Sequence, residues 1–208
     1  TTNYLTNTRR HLDDLYRIFP RMLSHSNLRR LQRSQIMQTL LSSKFTGIIQ
    51  LVPADESELL ILQEAVLEQY SDQQPNPKLH VTLLHQKFPK LVTNNQGLRG
   101  DKALKALFKS GKQMEIPTPV LELGDVKMGF DLTLDRRSSY VEIANSVACL
   151  EVRDAILEAA GINPADVDAV LTPEERGRIF HISLTNLEGN GGASIAYPQV
   201  SDTNVVVR

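Results

Sequence analysis

Two short stretches of the chain repeat one alternation of side chains, and they constrain the fold more than any other feature. The letters HVTL occupy residues 80–83 and HISL occupy residues 181–184. Along a β-strand, side chains two residues apart point to the same side. Each stretch therefore predicts a strand with a histidine and a hydroxyl on one face and two aliphatic side chains on the other. The aliphatic face is expected to be buried, so the polar face would be held rigidly.

Helical and strand patterns alternate over residues 45–208. Apolar spacings of three and four predict helices at 55–70, 101–112 and 146–162, and β-rich runs predict strands at 45–53, 78–86, 120–134, 138–146 and 178–189. Each histidine stretch lies on a strand that follows a helix. This order favours an α+β fold with two similar lobes, each a small sheet covered by helices, whose histidine stretches face each other across a cleft. The length alone also allows a doubly wound parallel sheet.

The beginning of the chain differs in charge from the rest. Residues 1–44 carry a formal net charge of +6, whereas the whole chain carries −1. Apolar spacing predicts two helices within residues 7–43. We expect a basic helical extension over 1–44 and a separate domain over 45–208. The extension can be a solvated or subunit-packing surface, or it can hold the backbone of an RNA.

Composition narrows the class of protein. Near-neutral net charge argues against a protein that coats nucleic acid generally. The single cysteine, Cys149, cannot form a disulfide within the chain, which favours a reducing compartment. No stretch approaches the roughly 18–20 apolar residues of a membrane span. We therefore expect a cytoplasmic protein without a membrane partner, either of a cell or of an agent that infects one, and the sequence leaves its oligomeric state open.

The two histidine stretches together suggest chemistry at a phosphate. Imidazoles can give or accept a proton near pH 7, so His80 and His181 can serve as general acid and general base in one displacement. The hydroxyls of Thr82 and Ser183 can donate hydrogen bonds to phosphate oxygens that carry charge in the transition state. This set fits cleavage of a phosphodiester without a metal or other cofactor.

The paired motifs resemble those of the two-histidine phosphoesterase superfamily. The resemblance covers about residues 45–200 and implies a bilobal, pseudo-twofold, metal-independent phosphodiesterase, with His80 and His181 catalytic and Thr82 and Ser183 binding phosphate. Serine in place of threonine in the second motif keeps the donor but loses the stiffening methyl group. The flank PNPKLHVTLLH (residues 75–85) resembles phage members that cleave cyclic oligonucleotides and so evade cyclic-nucleotide immune signalling. Other members process RNA ends or are ligase-like cyclic phosphodiesterases.

Several further residues are candidates for substrate contacts. Lys78 shares strand parity with His80, and Arg178 precedes the second motif, so either can supply a cation to the phosphate. Tyr140 and Tyr197 adjoin loops and can offer a stacking surface for a base. For each of these four, a surface or core role is an alternative. His85 is predicted to lie on the strand face opposite His80 unless a bulge intervenes, which argues against a metal site of His80, His85 and His181.

Two other classes of function remain open from the sequence. The same cleft can bind a nucleotide or a phosphorylated RNA without cleaving it. Alternatively, the basic extension over residues 1–44 can drive assembly. A substrate screen distinguishes the first from an enzyme, and deletion of the extension tests the second.

Overall fold

The computed structural model describes residues 34–39, 49–85, 87–110, 119–131, 135–199 and 202–205, and it contains eight strands and five helices in that part of the chain. The strands are β1 Ser34–Thr39, β2 Ile49–Pro53, β3 Gln74–Pro75, β4 Val81–Leu84, β5 Val120–Asp131, β6 Arg136–Ile143, β7 His181–Asn186 and β8 Thr203–Asn204. The helices are α1 Ser57–Gln69, α2 Gly100–Lys109, α3 Ser146–Ala159, α4 Pro164–Val170 and α5 Pro173–Arg176. Short 3-10 turns cover Pro89–Leu91 and Gly191–Ala193.

All described strands belong to one antiparallel sheet. Its order is β1-β2-β4-β7-β6-β5-β8. β3 pairs with Thr185 and Asn186 of β7, beyond the position where β7 pairs with β4. β1 also pairs with β5, so the strands from β1 to β5 form a closed ring of pairings. The α+β fold class is confirmed. The doubly wound alternative is excluded for these strands, because every pairing between them is antiparallel.

The prediction of helix through residue 43 is wrong over Ser34–Thr39, which form β1. The first half of β1 pairs with β5 and the second half with β2. Short runs with few apolar residues fit a helix or a strand about equally, and pairing with existing strands decides between them. The sheet therefore includes residues that the sequence assigned to the basic extension. The remainder of the predicted helices, residues 7–33 and 40–43, lies outside the described residues.

The aliphatic faces of the two motif strands form the middle of the core. Leu51 pairs with Val81, Val81 with Ile182, and Ile182 with Val141, so four neighbouring strands contribute one row of side chains. All four side chains are fully buried. Helices α1 and α3 add their own buried side chains to the same cluster, including Leu59. The predicted burial of the aliphatic face is confirmed.

The end of α3 and the starts of α4 and α5 lie at residues suited to helix ends. Gly161, which follows α3, has φ of 71°, a conformation that glycine adopts without strain. The following segment forms α4 and α5. Their N-caps are Asn163 and Thr172, and each side-chain oxygen accepts a hydrogen bond from a backbone N–H inside its helix. No helix within the described residues combines the length and apolarity needed to cross a membrane.

Candidate active site

The two motif strands lie side by side in the sheet. β4 and β7 are antiparallel, and Val81 is the partner of Ile182. The histidine and the hydroxyl residue of each motif flank this position, one residue away on either side. The single pairing therefore brings together a block of four polar side chains, two from each motif.

This block of four is the polar face of the motif strands. His80, Thr82, His181 and Ser183 are all partly exposed. The aliphatic residues between them are buried beneath the sheet. A substrate can therefore reach the polar block, while packing on the other face prevents the strands from shifting.

Both imidazoles are oriented by the same local hydrogen bond. Nδ1 of His80 lies 2.9 Å from the carbonyl oxygen of Lys78. Nδ1 of His181 lies 3.0 Å from the carbonyl oxygen of Ile179. A carbonyl only accepts, so Nδ1 carries the proton of each neutral ring. Nε2 is then the unprotonated nitrogen of each neutral ring.

The pKa values of both histidines are lowered. Burial lowers the pKa of His181 to about 4, the hydrogen bonds of the ring to the backbone of Ile179 and Ile195 oppose this, and the charges of Arg178 and His80 add to the lowering. Burial also lowers the pKa of His80. The hydrogen bond to the carbonyl of Lys78 opposes this effect, and the charge of the Lys78 side chain adds to it. The rings are therefore close enough to influence each other electrostatically, and His181 is neutral at pH 7.

Tyr140 contacts a catalytic candidate rather than offering a surface to a base. Its Cα is paired with that of Ser183, and its ring meets the ring of His181 edge-on, with centroids 5.3 Å apart. The hydroxyl donates to Oδ2 of Asp202 at 2.8 Å. The side chain is fully buried, so the expectation that it stacks on a base is corrected. Burial and then Asp202 raise the pKa of Tyr140, which keeps its hydroxyl a donor.

Arg178 is also placed differently from the expectation of an open substrate contact. Its side chain is only 6% exposed, and Nη1 lies 3.2 Å from Oε1 of Glu175. Nη2 donates to the carbonyl oxygens of Thr82 and Leu83 at 2.6 and 2.5 Å. Cζ of the guanidinium also lies 4.8 Å from the centroid of the Phe180 ring. Its hydrogen bonds are thus made within the protein, because burial beside β4 brings two carbonyls within its reach.

The other two predicted contact residues are exposed or partly exposed. Lys78 is exposed, and its charge lowers the pKa of the neighbouring His80. Tyr197 is partly exposed and its hydroxyl accepts a hydrogen bond from Nζ of Lys87 at 3.1 Å. Lys87 was not singled out from the sequence, although its proximity to His85 in the chain was a usable signal.

His85 lies near the block because the strand is irregular. The register between β2 and β4 shifts between the partners of Ile49 and Gln50, and Leu83 and Leu84 are both buried. The strict alternation that predicts His85 on the opposite face is therefore interrupted. Burial lowers the pKa of His85, Glu175 raises it, and nearby cations including His80 lower it further. Within the described ranges, no three His, Cys, Asp or Glu side chains form a group suited to a metal ion.

The glycine-rich turn after the second motif is closed on itself. The N–H groups of Glu188, Gly189 and Asn190 donate to Oδ1 of Asn186 at 3.0, 2.7 and 3.3 Å. These three N–H groups are therefore engaged within the turn. Asn76 and Asp202, which also contact the motif region, carry no signal that sequence reasoning can use.

Comparisons with known proteins add no relative to this picture. No protein-family model, curated protein or solved structure matches the chain.

Proposed function

We propose that this protein is a metal-independent phosphodiesterase that acts on a cyclic nucleotide, a cyclic oligonucleotide or the end of an RNA. The observation that carries the proposal is the pairing of the two motif strands through Val81 and Ile182. It supports an arrangement in which two imidazoles and two hydroxyls share one accessible face. The equivalent Nδ1 bonds of His80 and His181 support the bilobal, pseudo-twofold arrangement of the two-histidine phosphoesterases.

The reaction needs one proton taken and one given. His181, neutral above about pH 4, accepts through Nε2 the proton of a water molecule or of a ribose hydroxyl as that oxygen attacks phosphorus. His80, protonated beside the anionic substrate, gives a proton to the leaving oxygen as its bond to phosphorus breaks. The hydroxyls of Thr82 and Ser183 donate to the non-bridging oxygens, where fixed donors stabilise the transition state.

The first experiment tests whether the two histidines carry the reaction. Purified protein is offered 2′,3′-cyclic nucleotides, cyclic dinucleotides and 2′–5′ oligoadenylates with and without EDTA, and products are separated by chromatography. We expect turnover that EDTA does not reduce. His80→Ala and His181→Ala should each lower kcat by about 10²–10⁴-fold. Thr93→Ala, at an exposed threonine away from the motif strands, is the matched control and should not. Folded histidine variants with full turnover would end the proposal.

A second substrate assigns the acid and the base. A p-nitrophenyl phosphodiester has a leaving group that departs without protonation, so loss of the general acid costs little. We expect His80→Ala to recover most of its activity with this substrate and His181→Ala to remain impaired. The reverse pattern would exchange the two roles.

Two further parts of the proposal concern setting and partners. Cys149 is buried and free, which fits a reducing compartment such as the cytoplasm. If RNA is the substrate, we propose that the basic segment over residues 1–44 contacts its backbone, and affinity would then fall with salt. Tight binding of the screened nucleotides without any product would instead indicate a binding module.

A further inference from the structure

Beyond their single paired position, the motif strands are joined by side chains. On one side of that pair, Nη2 of Arg178 donates to the carbonyl oxygens of Thr82 and Leu83 at 2.6 and 2.5 Å. Glu175 balances the charge of this guanidinium at 3.2 Å, and Phe180 packs against its plane. Arg178 belongs to the segment that leads into the second motif, and its two acceptors belong to the first.

The other side of the pair repeats this arrangement with the motifs exchanged. Asn76 is buried and belongs to the segment that leads into the first motif. Its side-chain Nδ2 donates to the carbonyl oxygen of Ser183 at 3.2 Å, and its backbone N–H donates to that of Leu184 at 2.9 Å. Gln63 reinforces the contact, since its Nε2 donates to the carbonyls of both Asn76 and Leu184.

These two contacts are reciprocal. Arg178 lies three residues before His181, and Asn76 lies four residues before His80. Each binds the carbonyls of the two residues at positions two and three after the histidine of the other motif. The carbonyls that would continue the ladder between regularly paired strands are bound by side chains instead. The gap between the motif strands is therefore bridged by the side chains of Arg178, Asn76 and Gln63 and by the backbone N–H of Asn76.

From this geometry we propose that Arg178 and Asn76 are positioning residues that fix the separation of His80 and His181. The inference rests on the proposed function, because an in-line displacement requires two imidazoles held a set distance apart. A misplacement of about 1 Å can cost about 10²-fold in rate. Arg178 thereby acts through the backbone of the first motif, whereas the sequence offered it as a candidate for direct contact with the substrate.

The test at Arg178 is the substitution Arg178→Lys, which keeps the positive charge. A lysine lacks the planar fork that reaches two carbonyls and a carboxylate together. We expect kcat on the best substrate of the screen to fall about 10- to 100-fold, with KM changed by less than about threefold. A rise in KM at unchanged kcat would overturn the proposal and make Arg178 a substrate ligand. A lower melting temperature with wild-type kcat would also overturn it, because the role would then be structural only.

Arg176 provides a matched control two residues away. Its Nη2 also donates to two backbone carbonyls, those of Asp168 and Leu171, at 3.2 and 3.1 Å. These acceptors lie in and just after α4, away from the motif strands. Arg176→Lys should therefore leave kcat within about twofold of the wild type, since no reacting group would shift.

The reciprocal arm is tested at Asn76. Asn76→Ser shortens the side chain that reaches Ser183 and leaves the backbone bond to Leu184 in place. The expected result is again a loss in kcat of about tenfold or more with little change in KM. Asn94→Ser is the control, because Asn94 also donates from its side chain to a backbone carbonyl, that of Ala160 at 3.2 Å. Equal effects of the two asparagine substitutions would contradict the proposal.

A measurement without substrate separates this inference from the proposed function. The charge of His80 lowers the pKa of His181, so His80→Gln should raise the pKa of His181 in an NMR titration of the imidazole protons. If Arg178 sets the gap, the size of this rise must change in the Arg178→Lys background. An unchanged rise would overturn the positioning role even in an active enzyme. A changed rise in a protein with no turnover would support the positioning role and defeat only the proposed function.

Discussion

At the scale of single residues, the location of protons decides what the polar block can do. The Nδ1 bonds of His80 and His181 assign the same tautomer to both rings. Burial then lowers the pKa of His181 to about 4, which keeps Nε2 able to accept a proton throughout the neutral range. Because burial disfavours the charged form of the His181 ring, the folded protein should become less stable in acid.

His181 should therefore make the free energy of unfolding fall as the pH decreases. Above about pH 6.5, the ordinary pKa of histidine, neither the folded nor the unfolded state binds a proton at this ring. Below it the unfolded state binds the proton, whereas the folded state does so only near pH 4. The resulting slope approaches about 1.4 kcal/mol per pH unit for one such group.

Urea unfolding of wild type and His181→Gln between pH 7.5 and pH 5 measures this contribution. We expect the stability of the wild type to fall more steeply toward pH 5 than that of the variant, while their difference stays constant above pH 7. Parallel curves across the whole range would show that the imidazole titrates normally in the folded protein.

At the scale of elements, the C-terminal segment contacts residues that pack beside the second motif. This segment comprises residues 195–199 and 202–205. Its Ile195 N–H donates to Oγ of Ser138 at 3.1 Å, and Asp202 holds the hydroxyl of Tyr140. β8 pairs with β5 in the same region. Tyr140 in turn packs against His181. This C-terminal segment thus contributes to the surroundings of a catalytic candidate.

Gly129 on β5 has no side chain, which leaves room for this segment to pack against the strand. A Cβ there would lie 2.6 Å from Oδ2 of Asp202 and 2.9 Å from Cδ1 of Ile195. Gly129→Ala should therefore displace the segment and destabilise the protein by about 1–3 kcal/mol, as overpacking does. Tyrosine fluorescence and thermal unfolding would follow the change.

The control for this substitution is Gly177→Ala. A Cβ at Gly177 would meet only the carbonyl oxygen of Pro173, at 3.4 Å, and its φ of −92° suits alanine. Its effect on the melting temperature should be small. If both substitutions cost the same, the fit of the C-terminal segment over Gly129 is not what determines the result.

At the scale of the whole molecule, β1 completes the sheet. It pairs with β2 through residues 37–39 and with β5 through residues 34–36. Without it, β2 and β5 would each present unpaired backbone groups along an edge, and such edges favour association between chains. The stability of the sheet that carries the polar block should thus depend on six residues far from that block in sequence.

Two truncations isolate the contribution of β1. A chain that begins at residue 34 keeps both pairings of β1, and a chain that begins at residue 40 loses both. We expect the second to be less stable than the first by on the order of 3 kcal/mol, since each hydrogen bond contributes about 0.5–1.5 kcal/mol net. Urea unfolding gives the difference, and light scattering shows whether the shorter chain associates. Equal stability would show that β1 adds nothing to the sheet.

Much of the local structure could be read from the sequence. The period of two in HVTL and HISL is a property of each strand alone, so it predicts which side chains are buried wherever the strand lies. Val81 and Ile182 are accordingly fully buried. Helices α1, α2 and α3 follow in the same way from apolar spacing, with ends within a few residues of the predicted ones.

The tertiary structure alone decided which strands are neighbours and what the surrounding side chains touch. Pairing of β4 with β7, and of β1 with both β2 and β5, joins residues up to about a hundred positions apart, and no local pattern encodes such a partner. The tertiary structure also buries Tyr140 and Arg178, for which the sequence left a substrate contact and a surface or core role open. A strand's faces follow from its own residues, whereas its neighbours are selected by the free energy of closing the whole sheet over one core.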